Sequence, residues 1–175
     1  MSKSMLKMQD TVERAFRFPR AFPSGDQHSP MYRYSPATRG EFILLIDDSP
    51  TIRRVVEMLL RQEGYEIRSF HDGIDAMKWY AKPEARTPDL MLVDLGLPKI
   101  DGYDVIQKFK AKPRFANTVC IILSERDGVV DKLKGRMVGA TAYITKPFTS
   151  RELVTAVQTS LVGSRSFDTS TSAQE

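Results

Sequence analysis

Five large apolar residues in a row, Phe42-Ile43-Leu44-Leu45-Ile46, end abruptly in two carboxylates, Asp47 and Asp48, followed by Ser49 and Pro50. A run this short and this uniformly apolar fits a strand buried on both faces, because a strand with one wet face alternates apolar and polar residues. Ser49 suits a helix cap, where its hydroxyl accepts from a free backbone amide, and Pro50 suits the first helical position, where a missing N–H costs little. The stretch predicts a central strand running into a helix, with both acids at the carboxyl end of the strand. In open α/β sheets that edge is where ligands bind. Two adjacent carboxylates repel one another there unless a cation lies between them. Taken alone, the same stretch is equally well a polar loop after a strand.

The rest of the chain repeats the alternation. Ile52, Val55, Val56, Leu59 and Leu60 mark one face of a helix over 50–63, stopped by Gly64. Tyr65–Phe70 alternates as a second strand, and His71-Asp72-Gly73 opens a helix carrying Ala76, Met77 and Tyr80. After a Pro83–Pro88 loop, Leu90-Met91-Leu92-Val93 is a third buried strand ending in Asp94. Val105, Ile106 and Phe109 define the next helix, and Val119–Leu123 is a fourth strand ending in Ser124. Asp127-Gly128 leads to a helix whose apolar face is Val130, Leu133 and Met137. Ala142-Tyr143-Ile144 is a short fifth strand ending at Thr145-Lys146-Pro147, and Leu153, Val154, Val157 and Leu161 carry a last helix stopped by Gly163. Strands alternating with helices imply a parallel sheet with helices on both faces.

Composition narrows the function classes. No apolar run approaches the roughly 18 residues a membrane span needs, and the polar first residues lack the apolar stretch of a secretory signal. The single cysteine, Cys120, rules out an internal disulfide or a multi-cysteine metal site and reads as a buried inert thiol. These features suit the cytoplasm. The net charge of +4 sits in one place: residues 1–40 hold seven Lys/Arg against three Asp/Glu, while residues 41–175 hold nineteen of each. A nucleic-acid-binding domain carries its basic face on the fold, so a neutral body gives no support for one. The prolines and aromatics between Phe18 and Pro36 read as an extended or disordered arm, a docking segment or a solvated tail. The expected organisation is thus an arm over 1–40, a folded domain over 41–163 and a disordered tail over 164–175.

In a parallel sheet the strand ends share one edge, so Asp47-Asp48, Asp94, Ser124 and Lys146 converge there. Carboxylates are hard ligands suited to Mg²⁺. A carboxylate beside that metal can accept a phosphoryl group as an aspartyl-phosphate. Lys146 and the metal could neutralise the phosphoryl oxygens, and Ser124 could hydrogen-bond one of them. His28 and His71 have no companions at metal-ligand spacing, and Trp79 reads as partly packed. The basic run Lys108, Lys110, Lys112 and Arg114 reads as a solvated helix end favoured by the helix dipole.

Ile-Asp-Asp-Ser at 46–49, Val-Asp-Leu-Gly-Leu-Pro at 93–98, Asp101-Gly102, Ile-Leu-Ser at 122–124 and Thr-Lys-Pro-Phe at 145–148 occur in order, each after an expected strand. Together they resemble the receiver domain of two-component response regulators, the CheY-like superfamily. The resemblance covers residues 42–162. It implies a flavodoxin-like (βα)5 fold with strand order 2-1-3-4-5. Asp94 would be the phosphoacceptor, supplied by a histidine kinase or phosphotransfer protein, and Asp47, Asp48, Asp94 and the Gly96 backbone carbonyl would hold Mg²⁺. Ser124 and Lys146 would fill the phosphoryl-binding positions. Tyr143 would be the aromatic switch residue, turning inward when Ser124 engages the phosphoryl group, and Lys146-Pro147 would be a cis peptide. One departure is Glu125, where the family usually has a small residue, followed by Arg126; a carboxylate there could repel the incoming group.

The segments Ser124–Gly128, Asp131-Lys132 and Lys134–Gly139 are also similar to PilG-type stand-alone receivers of twitching-motility and pilus-linked chemosensory systems. The expected role is a stand-alone receiver, not an enzyme beyond its own phosphoryl chemistry. Its output would be a protein target docked on the fourth helix, fifth strand and fifth helix. The alternative is a pseudo-receiver or adaptor that binds partners constitutively through its arm.

Overall fold

The protein was analysed as a computed structural model, which describes residues 40–168. The arm and the end of the tail, 1–39 and 169–175, lie outside the described residues.

Five parallel strands, β1 (Phe42–Ile46), β2 (Glu66–Phe70), β3 (Leu90–Asp94), β4 (Val119–Ser124) and β5 (Ala142–Thr145), form one sheet in the order β2-β1-β3-β4-β5. Five helices connect and follow them: α1 (Pro50–Gln62), α2 (Gly73–Trp79), α3 (Gly102–Lys110), α4 (Val129–Met137) and α5 (Ser150–Asp168). This is the expected flavodoxin-like (βα)5 architecture. β1, β3 and β4 are buried at every residue, as their unbroken apolar runs require. The edge strand β2 is not, and there Arg68 is tolerated in mid-strand.

Alternate strand residues feed opposite cores. Leu44, Ile46, Met91, Val93 and Ile122 pack with Tyr80, Phe109 and Phe115 from the α2–α3 side. Ile43, Leu45, Leu90, Leu92, Ile121 and Leu123 pack with Val56, Leu60, Leu153 and Val157 from α1 and α5. Register is tight enough to align the strand ends: Ile46 lies opposite Val93, Asp94 opposite Leu123 and Ser124 opposite Thr145.

Each helix start is anchored locally. Ser49 caps α1 by accepting from the Ile52 amide at 3.3 Å, and Asp72 and Asp101 cap α2 and α3. Thr149 and Glu152 bond reciprocally at the start of α5. Gly64 ends α1 with φ 93°, as expected of a left-handed helix stop.

Two readings of the sequence are corrected. The helix does not stop at Gly163 but continues to Asp168. A glycine stops a helix by turning left-handed, and Gly163, unlike Gly64 and Gly139, keeps ordinary helical dihedrals. Nor do Val130, Leu133 and Met137 face the core: they are 71%, 44% and 80% exposed. Gly135 is the buried residue of α4, close enough to the sheet that a Cβ would lie 2.7 Å from Ile122 Cδ1.

Candidate functional site

At the carboxyl edge of the sheet the strand ends meet. β1 delivers Asp47 and Asp48, β3 delivers Asp94, β4 ends in Ser124, and Lys146 follows β5. The oxygens of Asp47, Asp48 and Asp94 lie within 4.8 Å of one another. Asp47 and Asp94 are buried, and Asp48 is exposed. Lys146 Nζ donates to Asp47 Oδ2 at 2.7 Å and reaches Asp94 Oδ2 at 3.1 Å. The other Asp47 oxygen accepts from the Ser49 amide at 2.9 Å, and Asp94 Oδ1 accepts from the Gly96 amide at 3.2 Å.

The electrostatics follow from this crowding. Burial pushes the Asp47 carboxyl above its ordinary range, the Lys146 hydrogen bond and charge pull it back, and the Asp94 charge adds to the rise. Burial alone would lower Lys146, but its hydrogen bond to Asp47 and the charges of Asp47 and Asp94 outweigh that and raise it. Three carboxylates facing one ammonium leave an excess of negative charge. The donor set is hard oxygen, and the exposed Asp48 leaves access for water. A small divalent cation that keeps part of its hydration shell fits this set.

Beside the acids lie Ser124, Tyr143 and Arg126. Ser124 is buried, and its hydroxyl accepts from the Arg126 amide at 3.0 Å. Tyr143 is buried in the inward position, and its hydroxyl donates to the Arg126 carbonyl at 2.7 Å. Burial raises the Tyr143 phenol, with a hydrogen bond from Ser124 opposing. Glu125 is exposed and makes no hydrogen bond or ion pair with any described residue, whereas Arg126 approaches Asp131 at 3.9 Å. Lys146-Pro147 is cis.

Some residues of this region carried no sequence motif. Arg53, on the first turns of α1, donates to the carbonyls of Asp47 and Asp48 at 2.7 and 3.0 Å, fixing the backbone that presents both acids. Its only sequence signal is a cation one turn into the helix that the acids precede. Tyr103 of α3 donates to the Asp131 carbonyl at 3.0 Å, tying α3 to α4. Gly102, by contrast, belongs to the Asp101-Gly102 motif, and it brings α3 against the phosphoacceptor candidate's own backbone: a Cβ there would lie 2.2 Å from the Asp94 carbonyl oxygen.

Other expectations resolve outside the site. His71 does have carboxylate neighbours, Asp72 at 3.2 Å and Asp75 at 3.7 Å, but the Asp72 carboxylate is already held by Lys99 at 2.7 Å. Cys120 is buried, and burial pushes its thiol up to about 12, consistent with an inert side chain. The basic run is not wholly solvated: Lys110 donates to the Thr118 carbonyl, and Arg114 stacks 5.1 Å from the Phe115 ring centroid.

The response regulator receiver domain family matches residues 43–158. Protein PilG of Pseudomonas aeruginosa is 41% identical over 116 residues, 66% of this chain and 84% of PilG. The chemotaxis response regulator CheY4 of Vibrio cholerae superposes with a TM-score of 0.63 at 27% identity, over 67% of this chain and 96% of CheY4. The Mn²⁺-bound form of response regulator Rcp1 superposes at 0.59 and 27% identity, over 68% of this chain and 90% of Rcp1.

Proposed function

This chain belongs to the response regulator receiver family, and from that premise we propose that Asp94 accepts a phosphoryl group from a phosphohistidine on a histidine kinase or phosphotransfer protein. The observation that carries the proposal is Lys146 Nζ, held 2.7 Å from Asp47 and 3.1 Å from Asp94 on the edge where three carboxylates converge. An Asp94 oxygen attacks phosphorus while the P–N bond breaks, and the imidazole nitrogen keeps the electron pair. Asp47, Asp48, Asp94 and the Gly96 carbonyl would hold Mg²⁺, which supplies charge neutralisation at the phosphoryl oxygens. Lys146 needs little movement to donate to one of those oxygens. The Ser124 hydroxyl has one O–H that rotates to suit its neighbours and turns to another. Tyr143, already inward, closes the β4–α4 loop over it.

The output is a protein contact on α4, β5 and α5. Val130 and Met137 stand exposed on α4, and a groove of about 1040 Å³ runs along β5. A role in pilus-linked motility is supported by the PilG match, which spans 84% of that relative.

The test is incubation with Mg²⁺ and acetyl phosphate, followed by mapping of the modified residue in wild type and Asp94→Ala. The expected result is a label on Asp94 that is lost in the variant and lost on chelation. An unlabelled Asp94, with this donor and with a cognate kinase, would refute the proposal in favour of a constitutive adaptor.

A further inference from the structure

Toward the opposite edge of the sheet, a recess of about 270 Å³ opens among Phe42, Arg68, Trp79, Lys82, Ala85 and Arg86, with Glu84 on its wall. Phe42 begins β1, whereas Asp47 follows its end, so the recess and the acidic site lie at opposite ends of one strand. Its floor is aromatic and its donors are cationic. Arg68 Cζ lies 4.0 Å and Lys82 Nζ 4.9 Å from the Trp79 ring centroid, and Arg86 Cζ lies 5.2 Å from that of Phe42.

These cations are not equivalent. Arg86 is neutralised by Glu66 at 2.6 Å and Asp89 at 3.8 Å. Arg68 and Lys82 have no carboxylate partner among the described residues. The ring quadrupole attracts each of them, but two like charges within 5 Å of one ring centroid also repel one another, and an anion between them would relieve that repulsion.

The two unpaired cations, Arg68 and Lys82, are donors only, which selects an anionic, acceptor-only ligand. A recess of this size lies just below the usual volume of small-molecule sites and suits a carboxylate side chain with its stem. A nucleic-acid backbone is a poor fit, because it needs a track of several free cations and only Arg68 and Lys82 of the recess lack a carboxylate partner among the described residues.

We propose that the Arg68–Trp79–Lys82 recess is a docking site for an acidic segment of a partner protein, with one carboxylate side chain seated between Arg68 and Lys82. The site is separate from the phosphoryl site and works in both phosphorylation states.

Trp79 is the single tryptophan of the chain and lies in the recess, so its fluorescence reports occupancy directly. The full chain is titrated with a decaglutamate peptide at low salt, with inorganic phosphate and decathymidylate as parallel probes. The expected result is a saturable change in Trp79 emission with the peptide, weakened about tenfold or more in Arg68→Gln/Lys82→Gln and unchanged in Asp94→Asn. Glutamine keeps much of each aliphatic stem, and Lys82→Gln alone guards against a double variant that misfolds; circular dichroism checks both. Peptide binding untouched by these substitutions, saturation by phosphate alone at equal concentration, or tighter binding of the oligonucleotide would each overturn the proposal.

Discussion

Lys146 is the one cation among the converging strand-end residues, and its ammonium spans two carboxylates that would otherwise face each other at close range. Replacing it with methionine removes the donor and leaves the acids uncompensated. The expected outcome for Lys146→Met is a slower labelling of Asp94 by acetyl phosphate, by about a hundredfold, read from a time course of intact mass. Asp48 differs from Asp47 in being exposed, so it contributes to metal binding with little stake in packing. Asp48→Ala should leave the metal-free unfolding free energy within about 0.5 kcal/mol of wild type. It should abolish the stabilisation by Mg²⁺, which in the wild type amounts to about 2.7 kcal/mol at a hundred times the dissociation constant. Thermal melts with and without Mg²⁺ measure both. At this scale the acids, Ser124 and Lys146 were legible because each lies within two residues of the end of an apolar run. Arg53 was not, because its role is a pair of hydrogen bonds to main-chain carbonyls, which no side-chain pattern encodes.

Between elements, the β2–α2 and β3–α3 loops are tied by one ion pair. Asp72 caps α2 and receives Lys99 at 2.7 Å, while Lys99 itself holds a left-handed backbone, φ 69°, that non-glycine residues rarely adopt. The Lys99 hydrogen bond first, then the Asp75 amide, hold the Asp72 carboxyl down at about 2, against burial. A carboxyl whose folded pKa is below its unfolded value stabilises the fold fully above the unfolded pKa, near 3.8, and loses that contribution as pH falls through about 2. Lys99→Met should therefore lower the urea midpoint at neutral pH, and the gap from wild type should close as pH approaches 2. In α5, Gly163 is helical with nothing within 4 Å of a would-be Cβ. Gly163→Ala should stabilise the protein by about 0.5–1 kcal/mol in urea unfolding, whereas a true helix-stopping glycine would lose stability. A helix-stopping glycine and a helical one look identical in sequence, since the difference is only the sign of φ.

Over the whole molecule, the sheet separates two surfaces. Its carboxyl edge gathers acids around Lys146, and the opposite edge gathers unpaired cations around Trp79. The exposed α4 residues lie outside both cores. Val130→Ser/Met137→Ser should leave unfolding free energy within about 0.5 kcal/mol and Asp94 labelling intact, as measured by urea unfolding and by mass. A larger loss would mean that these side chains pack after all. The sequence by itself determined the parallel α/β class, the strand positions and the convergence of Asp47, Asp48, Asp94, Ser124 and Lys146. A strand buried on both faces must be continuously apolar, and parallel strands bring their ends to one edge. Only the tertiary structure decided which face of α4 meets the sheet, where α5 ends and which cations lack a partner. Those outcomes depend on how closely Gly135 approaches Ile122, on a backbone dihedral and on distances between residues far apart in the chain. Local composition leaves such long-range geometry open.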